Sequence, residues 1–449
     1  MRIVQLVNGL PPEALGGTET YAAALAKELA RQGHAVSVFS RCARPQQPEY
    51  ALETTTVEQV EITRINNTLR ENSTFAETYR NDTIAARFGA LLDRFAPDIV
   101  HVQHLMYLST TCIDEAVRRA IPVVMTLHDY WLICQRGRFL KPDLSVCSGQ
   151  TDTGCAQCFS HVLDPGLSRL HGLLKPLLKN SWLRAQLRRL NAARAVSRSV
   201  SPAAQDQVRA RMAHVRELCE SVSLFLAPSR FLRRQFVAFG IPEEQIVFHE
   251  CGLQTAHLQA AEKTAPKERL SFGYIGVVDP VKGVDLLVEA FQSLPQADLR
   301  IYGGEAAYAP YPNERRFRSQ LANSPHIRYM GRYDNQDIGR ILAGIDVVIV
   351  PSIWYENAPL VIREAFLART PVITADFGGM REWVRDGVDG LLFQARDVAD
   401  LRRQIARCIT EPDLVARLSQ AFPAVRSIAE DAALLAQHYR RLVRKPSDA

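Results

Sequence analysis

Short runs of β-branched apolar residues alternate with helically patterned stretches in two series, and this alternation restricts the chain to parallel, doubly wound sheets. The first series opens with RIVQLVN (Arg2 to Asn8), passes a Pro-containing loop with Gly16-Gly17, and continues as a helix from about Thr18 to Gln32 before GHAVSVFS. Further strands are expected at VEQVEITRI, DIVHVQ, PVVMTLH and SLFLAPS, with helices at about Asp82 to Phe95 and Ser229 to Phe239. QTAHLQAAEKTAPKERL lacks periodicity and reads as a linker. The second series comprises LSFGYIG, a helix at VDLLVEAFQSL, then ADLRIYGG, HIRYMG, IDVVIVPS, PVITA and GLLF. The expected division is 1–253, 254–426 and an amphipathic tail helix in 427–449 that packs back towards the first domain. A length of 449 residues fits about two to three domains.

Several function classes drop out. No two glycines stand two apart, so the dinucleotide fingerprint G-x-G-x-x-G is absent, and no Gly-Lys pair supplies a Walker A loop. The opening MRIVQLVNGL has no charged region ahead of a long apolar one, and nowhere do eighteen apolar residues run together. The expectation is a cytoplasmic chain that does not span a membrane. The net charge of +6 is concentrated: residues 161 to 218 hold eleven Arg or Lys against three Asp or Glu. No nucleic-acid module accompanies that charge, so nucleic acid is not an expected partner.

The stretch PSIWYENAPLVIREAFLARTPVITADFGG (Pro351 to Gly379) lies between and across two expected strands. Pro359 suits the first turn of a helix, so Glu356 falls in the loop and Glu364 inside the helix. Eight residues apart on one continuous helix, the two would sit about 80° apart, a poor shared face. With the first in the loop, both can border one cleft. The helix start also offers the N–H groups of Leu360 and Val361 and a positive dipole end suited to phosphate. Carboxylates for hydroxyls beside N–H groups for phosphate describe a nucleotide-sugar site; a surface acidic pair on an ordinary βαβ helix is the competing reading.

These residues, with Gly16-Gly17, HDYW and YIGVVDPVKGVDLLVEAF, resemble family 4 glycosyltransferases of the GT-B fold, whose E-x7-E signature is matched by Glu356 and Glu364. The resemblance covers the C-terminal half nearly end to end, and the N-terminal half at its first β/α unit and at HDYW. It implies two Rossmann-like domains facing across a cleft, with a nucleotide-sugar donor bound mainly to the C-terminal one. It also implies retaining transfer, with His128, Lys282 and Glu356 as the catalytic group. Glu356 would take sugar hydroxyls, Glu364 the ribose, and Lys282 the departing diphosphate. Gly16, Gly17, Asn357, Ala358, Leu360 and Val361 complete the expected donor site. Asp129 is expected to orient His128 or bind acceptor. The family usually has an Arg at the position of Val277; here either Lys282 with helix N–H groups suffices, another base such as Arg332 or Arg381 substitutes, or activity is reduced.

Cys134, Cys147, Cys155 and Cys158 follow HDYW in one polar insert (134–158). Four thiols ending in C-x2-C can close a structural zinc site, His161 being a possible substitute ligand; scattered free thiols are the alternative. No cofactor is expected in the chemistry itself, since the resemblance implies none. The basic helical insert, 161–218, can rest on an anionic membrane surface or pack by its leucines as a solvated helix. The overall expectation is a UDP- or GDP-sugar donor and a glycan or lipid-linked acceptor, as in cell-envelope polysaccharide or glycolipid assembly. A catalytically silent GT-B protein that binds a nucleotide or partner is the alternative.

Overall fold

The computed structural model describes residues 1–72, 74–159, 200–255, 258, 269–304 and 314–443. The first sheet holds β1 (Arg2–Val7), β2 (Ala35–Cys42), β3 (Leu52–Val57), β4 (Val60–Asn66), β5 (Ile99–Val102), β6 (Val123–Thr126), β7 (Leu224–Ala227) and β8 (Ile246–Phe248). Its order is β3-β4-β2-β1-β5-β6-β7-β8, parallel except for the β3–β4 pair. The second sheet holds β9 (Ser271–Ile275), β10 (Asp298–Tyr302), β11 (Ile327–Gly331), β12 (Val347–Val350), β13 (Val372–Ala375) and β14 (Gly390–Phe393). Its order is β11-β10-β9-β12-β13-β14, parallel throughout.

In each sheet the strand order reverses direction, between β1 and β5 in the first and between β9 and β12 in the second. Loops leaving neighbouring strand ends diverge there and open a crevice, the usual ligand position in such sheets. The central strands are near-continuous Val and Ile because helices cover both faces; β12 is buried at all four residues. Two strands were not expected. β3, LETTTV, is an exposed edge strand with no apolar face, and β8 has only three residues.

Two apolar layers sandwich the first sheet, one around Phe39, Phe88, Ile113 and Phe225, the other around Ile3, Leu25, Leu29 and Val124. The C-terminal helix Ile428–Val443 contributes Leu435 and Tyr439 to the second of these layers. It lies against the helix Gly17–Arg31 and so belongs structurally to the first domain. The chain therefore crosses between domains twice. Leu253 N donates to Arg426 O at 3.0 Å and Ile428 N to Leu253 O at 2.7 Å, fastening the crossings side by side. Beside them the buried Asp431 accepts from Tyr21 Oη (2.8 Å), His249 Nε2 (2.6 Å) and Gly252 N (2.7 Å).

Most of the basic stretch, 161–199, lies outside the described residues, as does His161. The rest is an amphipathic helix that leaves the basic Arg209 and Arg216 exposed and packs by its other face. Helix Pro202–Glu220 buries Val208, Val215 and Leu218 in the first core, and the buried Arg211 donates to Trp131 O (2.7 Å) and Leu132 O (3.0 Å).

Candidate active site

The loop after β9 begins the donor side. Asp279 caps the short turn Pro280–Lys282 by accepting from Val281 N at 3.0 Å. Gly283 follows with φ +75°, and a Cβ there would lie 1.9 Å from Pro351 O. Only glycine allows that approach, and it brings Lys282 against the loop leaving β12. Lys282 Nζ donates to Glu356 Oε1 at 2.5 Å, and Ser352 Oγ (2.7 Å) and Trp354 Nε1 (2.9 Å) donate to the same oxygen. Glu356 is 6% exposed, with its carboxylate set from three directions.

Helix Leu360–Leu367 starts just after this loop, with Glu364 on it and partly buried. Burial pushes the Glu364 carboxyl up to about 7. Burial, with Glu364 beside it, raises the Tyr333 phenol as well. Gly17 lies against the start of this helix: a Cβ on it would be 3.5 Å from Leu360 Cδ1. The helix Gly17–Arg31 also begins here, so two helix N-termini meet at one place. The first N–H groups of each have no partner within their own helix and suit an anion. Gly17 is thus adjacent to Leu360, while Gly16 lies against the Glu19 carboxylate of its own helix's first turn.

His128 leaves β6 on the facing domain. Its Nε2 is 2.8 Å from Gln103 Oε1, while Gln103 Nε2 lies 3.2 Å from His101 Nδ1. Tyr439 Oη also reaches His101 Nδ1, at 2.6 Å, and His101 Nε2 pairs with Thr126 Oγ1 at 2.8 Å. The amide NH2 of Gln103 faces the acceptor nitrogen, so its oxygen faces His128 and the hydrogen-bond network assigns the His128 proton to Nε2. Burial, reinforced by His104, lowers the His128 pKa to about 3, so the ring is neutral at ordinary pH. Asp129 does not orient it. Its carboxylate pairs with His104 Nε2 at 3.2 Å and accepts from Trp131 N at 2.7 Å. Burial works against the charge on His104, but Asp129 outweighs it and raises that pKa. Gln103 carried no local sequence signal; a polar residue just past a strand end was its only trace.

The two sides touch. Asn357 Oδ1 accepts from Ser229 Oγ at 2.5 Å, and its Nδ2 donates to Leu127 O (3.1 Å) and His128 O (3.4 Å). The Asn357 side chain is therefore committed to the first domain, and its neighbour Ala358 is only partly buried beside it. Tyr355 stacks between Phe231 and Phe377, with ring centroids 5.0 and 4.2 Å away.

On the phosphate side Val277 is 48% exposed and brings no charge. Arg381 is held on the surface by both oxygens of Asp376, at 2.8 Å each. Arg332 packs over Gly304, where a Cβ would come within 2.6 Å of its Nε. Arg138 reaches across from the cysteine-bearing stretch: Nη1 lies 3.8 Å from Asp279 Oδ2.

The four cysteines of the expected zinc site are near one another, with Cys134, Cys147 and Cys155 all neighbouring Cys158. Cys134, Cys147, Cys155 and Cys158 are free thiols, and among the described residues no three His, Cys, Asp or Glu are grouped to hold a metal ion. Cys147 Sγ turns instead to Gly149 O at 3.1 Å. Burial, with the neighbouring thiols adding to it, pushes Cys158 up to about 11. Among the described residues no helix is long and apolar enough to cross a membrane.

A D-inositol 3-phosphate glycosyltransferase of Mycobacterium sp. (strain JLS) is 32% identical over 148 residues, covering 32% of this chain and 33% of that protein. The chain thus matches about a third of the length of that relative. A glycogen synthase of Mycobacterium tuberculosis (strain ATCC 25618 / H37Rv) is 24% identical over 444 residues, 94% of this chain and 89% of that one. Among solved structures, the sucrose-phosphate synthase (tll1590) of Thermosynechococcus elongatus superposes with TM-score 0.67 at 17% identity, covering 98% of this chain and 99% of that one. Anabaena Alr3699/HepE in complex with UDP-glucose gives 0.61 at 16% identity, over 100% of both chains. These two likenesses carry the fold, which is GT-B. The family described as Glycosyl transferases group 1 matches residues 257–424, and the one described as Glycosyltransferase Family 4 matches residues 15–257. That second match spans more than half of the sequence, and the chain belongs to glycosyltransferase family 4.

Proposed function

We propose that the protein is a retaining glycosyltransferase that moves a hexose-like sugar from a UDP- or GDP-linked donor to a glycan or lipid-linked acceptor in cell-envelope polysaccharide or glycolipid assembly. The observation that carries this reading is the meeting of Lys282, Glu356 and the paired helix N-termini at the β9–β12 crevice, with His128 on the facing strand end. The complex of Anabaena HepE with UDP-glucose supports a nucleotide-sugar donor.

In this reading the free oxygen of Glu356 takes sugar hydroxyls and Glu364 takes the ribose hydroxyls. As the bond from the sugar's C1 to the diphosphate breaks, charge grows on the leaving oxygen. Lys282 and the helix N–H groups stabilise that charge in a water-poor cleft, where fixed donors are worth more than in water. The acceptor oxygen attacks C1 from the same face, and its proton passes to the leaving phosphate oxygen. The neutral His128, held by Gln103, lines the reacting carbon. No cofactor takes part in these steps. The basic stretch 161–218 fits a lipid-linked acceptor by resting on anionic lipid; failure to float with anionic vesicles at low salt would remove that part.

The direct test is a panel of UDP- and GDP-sugars with purified protein, following nucleotide release and, by NMR, the anomeric configuration of the product. Release is expected, with retention. Glu356→Ala is expected to cut turnover by about a hundredfold or more, the scale of losing a transition-state contact; near-normal transfer by that variant would sink the assignment. Tight nucleotide binding with no turnover on any sugar would favour a silent binder, the reading that the uncharged Val277 suggests.

A further inference from the structure

We infer that Arg138, carried by the first domain, supplies the second cation for the donor's diphosphate, a role that rests on the donor-site reading above.

A nucleoside diphosphate brings two to three negative charges. Lys282, the cation of the β9 loop, stands 2.5 Å from Glu356, so the pair is close to neutral as a unit. Helix N-termini add only about half a charge each. The crevice therefore needs another cation, and Val277 offers none.

Four arginines come near, and Arg396 is committed to the backbone carbonyls of Leu144 and Ile353. Arg381 is held by both oxygens of Asp376 and is 65% exposed. Arg332 lies over Gly304, at the end of β10. Arg138 is placed differently. Its guanidinium carbon is 5.9 Å from the centre of the Trp354 ring, and Lys282 Nζ is 5.4 Å from the same centre. Trp354 is the residue whose Nε1 holds Glu356. Two cations thus gather round one indole at the edge of the crevice.

Arg138 is also not locked. Its carboxylate neighbour Asp279 is 3.8 Å away, outside ordinary hydrogen-bond reach, and the side chain is 47% exposed. Asp279 itself caps the turn that carries Lys282, so Arg138 stands over the phosphate-facing loop. The stretch that bears it is anchored to the second domain: Arg396 donates to Leu144 O and, at 3.3 Å, to Ile353 O. A planar guanidinium there can grip two phosphate oxygens at once.

Calorimetric titration of full-length protein with UDP, GDP and the matching nucleosides tests this. Arg138→Ala is expected to weaken the tighter diphosphate roughly 10- to 100-fold, the range for a lost charged hydrogen bond. It should leave nucleoside affinity within about twofold and should be partly rescued by Arg138→Lys. Asp279→Asn keeps the turn cap and removes the ion pair; it should leave diphosphate affinity unchanged or stronger. Equal losses for nucleoside and diphosphate, or an Asp279→Asn that mimics Arg138→Ala, would make Arg138 a domain clamp and overturn the inference. Unchanged diphosphate affinity in Arg138→Ala overturns it too, leaving the donor site intact. If unaltered protein binds neither UDP nor GDP, the donor-site reading falls and takes this inference with it.

Discussion

Glu364 is held uncomfortably, a carboxyl group on a largely buried helix face. Its pKa of about 7 lies above the ordinary carboxylate value, so between those two values the folded chain binds the proton that the unfolded chain has lost. Stability is therefore highest below the ordinary value and falls as pH rises through 7. Glu364→Gln should remove that slope and leave the variant more stable than the parent at pH 8, by about 1–3 kcal/mol. Urea unfolding at pH 5 and pH 8 checks it; equal slopes for both proteins would contradict the placement. If Glu364 takes the ribose as proposed, nucleotide affinity should follow the opposite course and strengthen as pH rises through 7, because hydroxyls donate best to a charged carboxylate. A second test at this scale concerns Gln103. Gln103→Leu removes the acceptor for the His128 Nε2 proton and should lower kcat about tenfold or more with little change in KM, a pattern of lost transition-state contact. Nitrogen-15 NMR of labelled histidine should show His128 shifting from its single tautomer to a mixture; an unchanged tautomer would show that Gln103 does not set it.

Strands and turns position these side chains with small tolerances. Gly283→Ala would have to fit a methyl 1.9 Å from Pro351 O at φ +75°. A loss of about 2–4 kcal/mol in stability is expected, together with weaker donor binding as Lys282 moves, measured by thermal unfolding with and without nucleotide. What could be read from the chain follows the same division. β12 and β13 were legible because both faces are buried and the run is all Val, Ile, Thr or Ala. Glu356 and Glu364 were legible because a proline-bounded loop and a helix start fix their relation locally. β3 was not, since its threonines face water and leave no apolar period. Gln103 and Arg138 were not either. Neither residue has a neighbour pattern of its own, and each gains its role only when distant segments fold together, as Arg138 does against Asp279 and Trp354.

Across the whole molecule, the terminal helix fastens the second crossing between the domains beside the first. Asp431 gathers Tyr21, His249 and Gly252 in a buried cluster beside both crossings. Asp431→Ala leaves those donors without a partner and should destabilise the protein by about 3–5 kcal/mol, visible as a lower midpoint in urea. A change under about 1 kcal/mol would mean that water replaces the carboxylate there. Any opening of the cleft about these crossings has to contend with Asn357, whose amide grips Ser229, Leu127 and His128 on the other side. In the proposed reaction, release of spent nucleotide is expected to wait on that amide, so its grip would act as a timer on each round. Asn357→Ala would run the timer fast: product escapes sooner, His128 is seated less firmly, and more of the donor is lost to water for each sugar delivered.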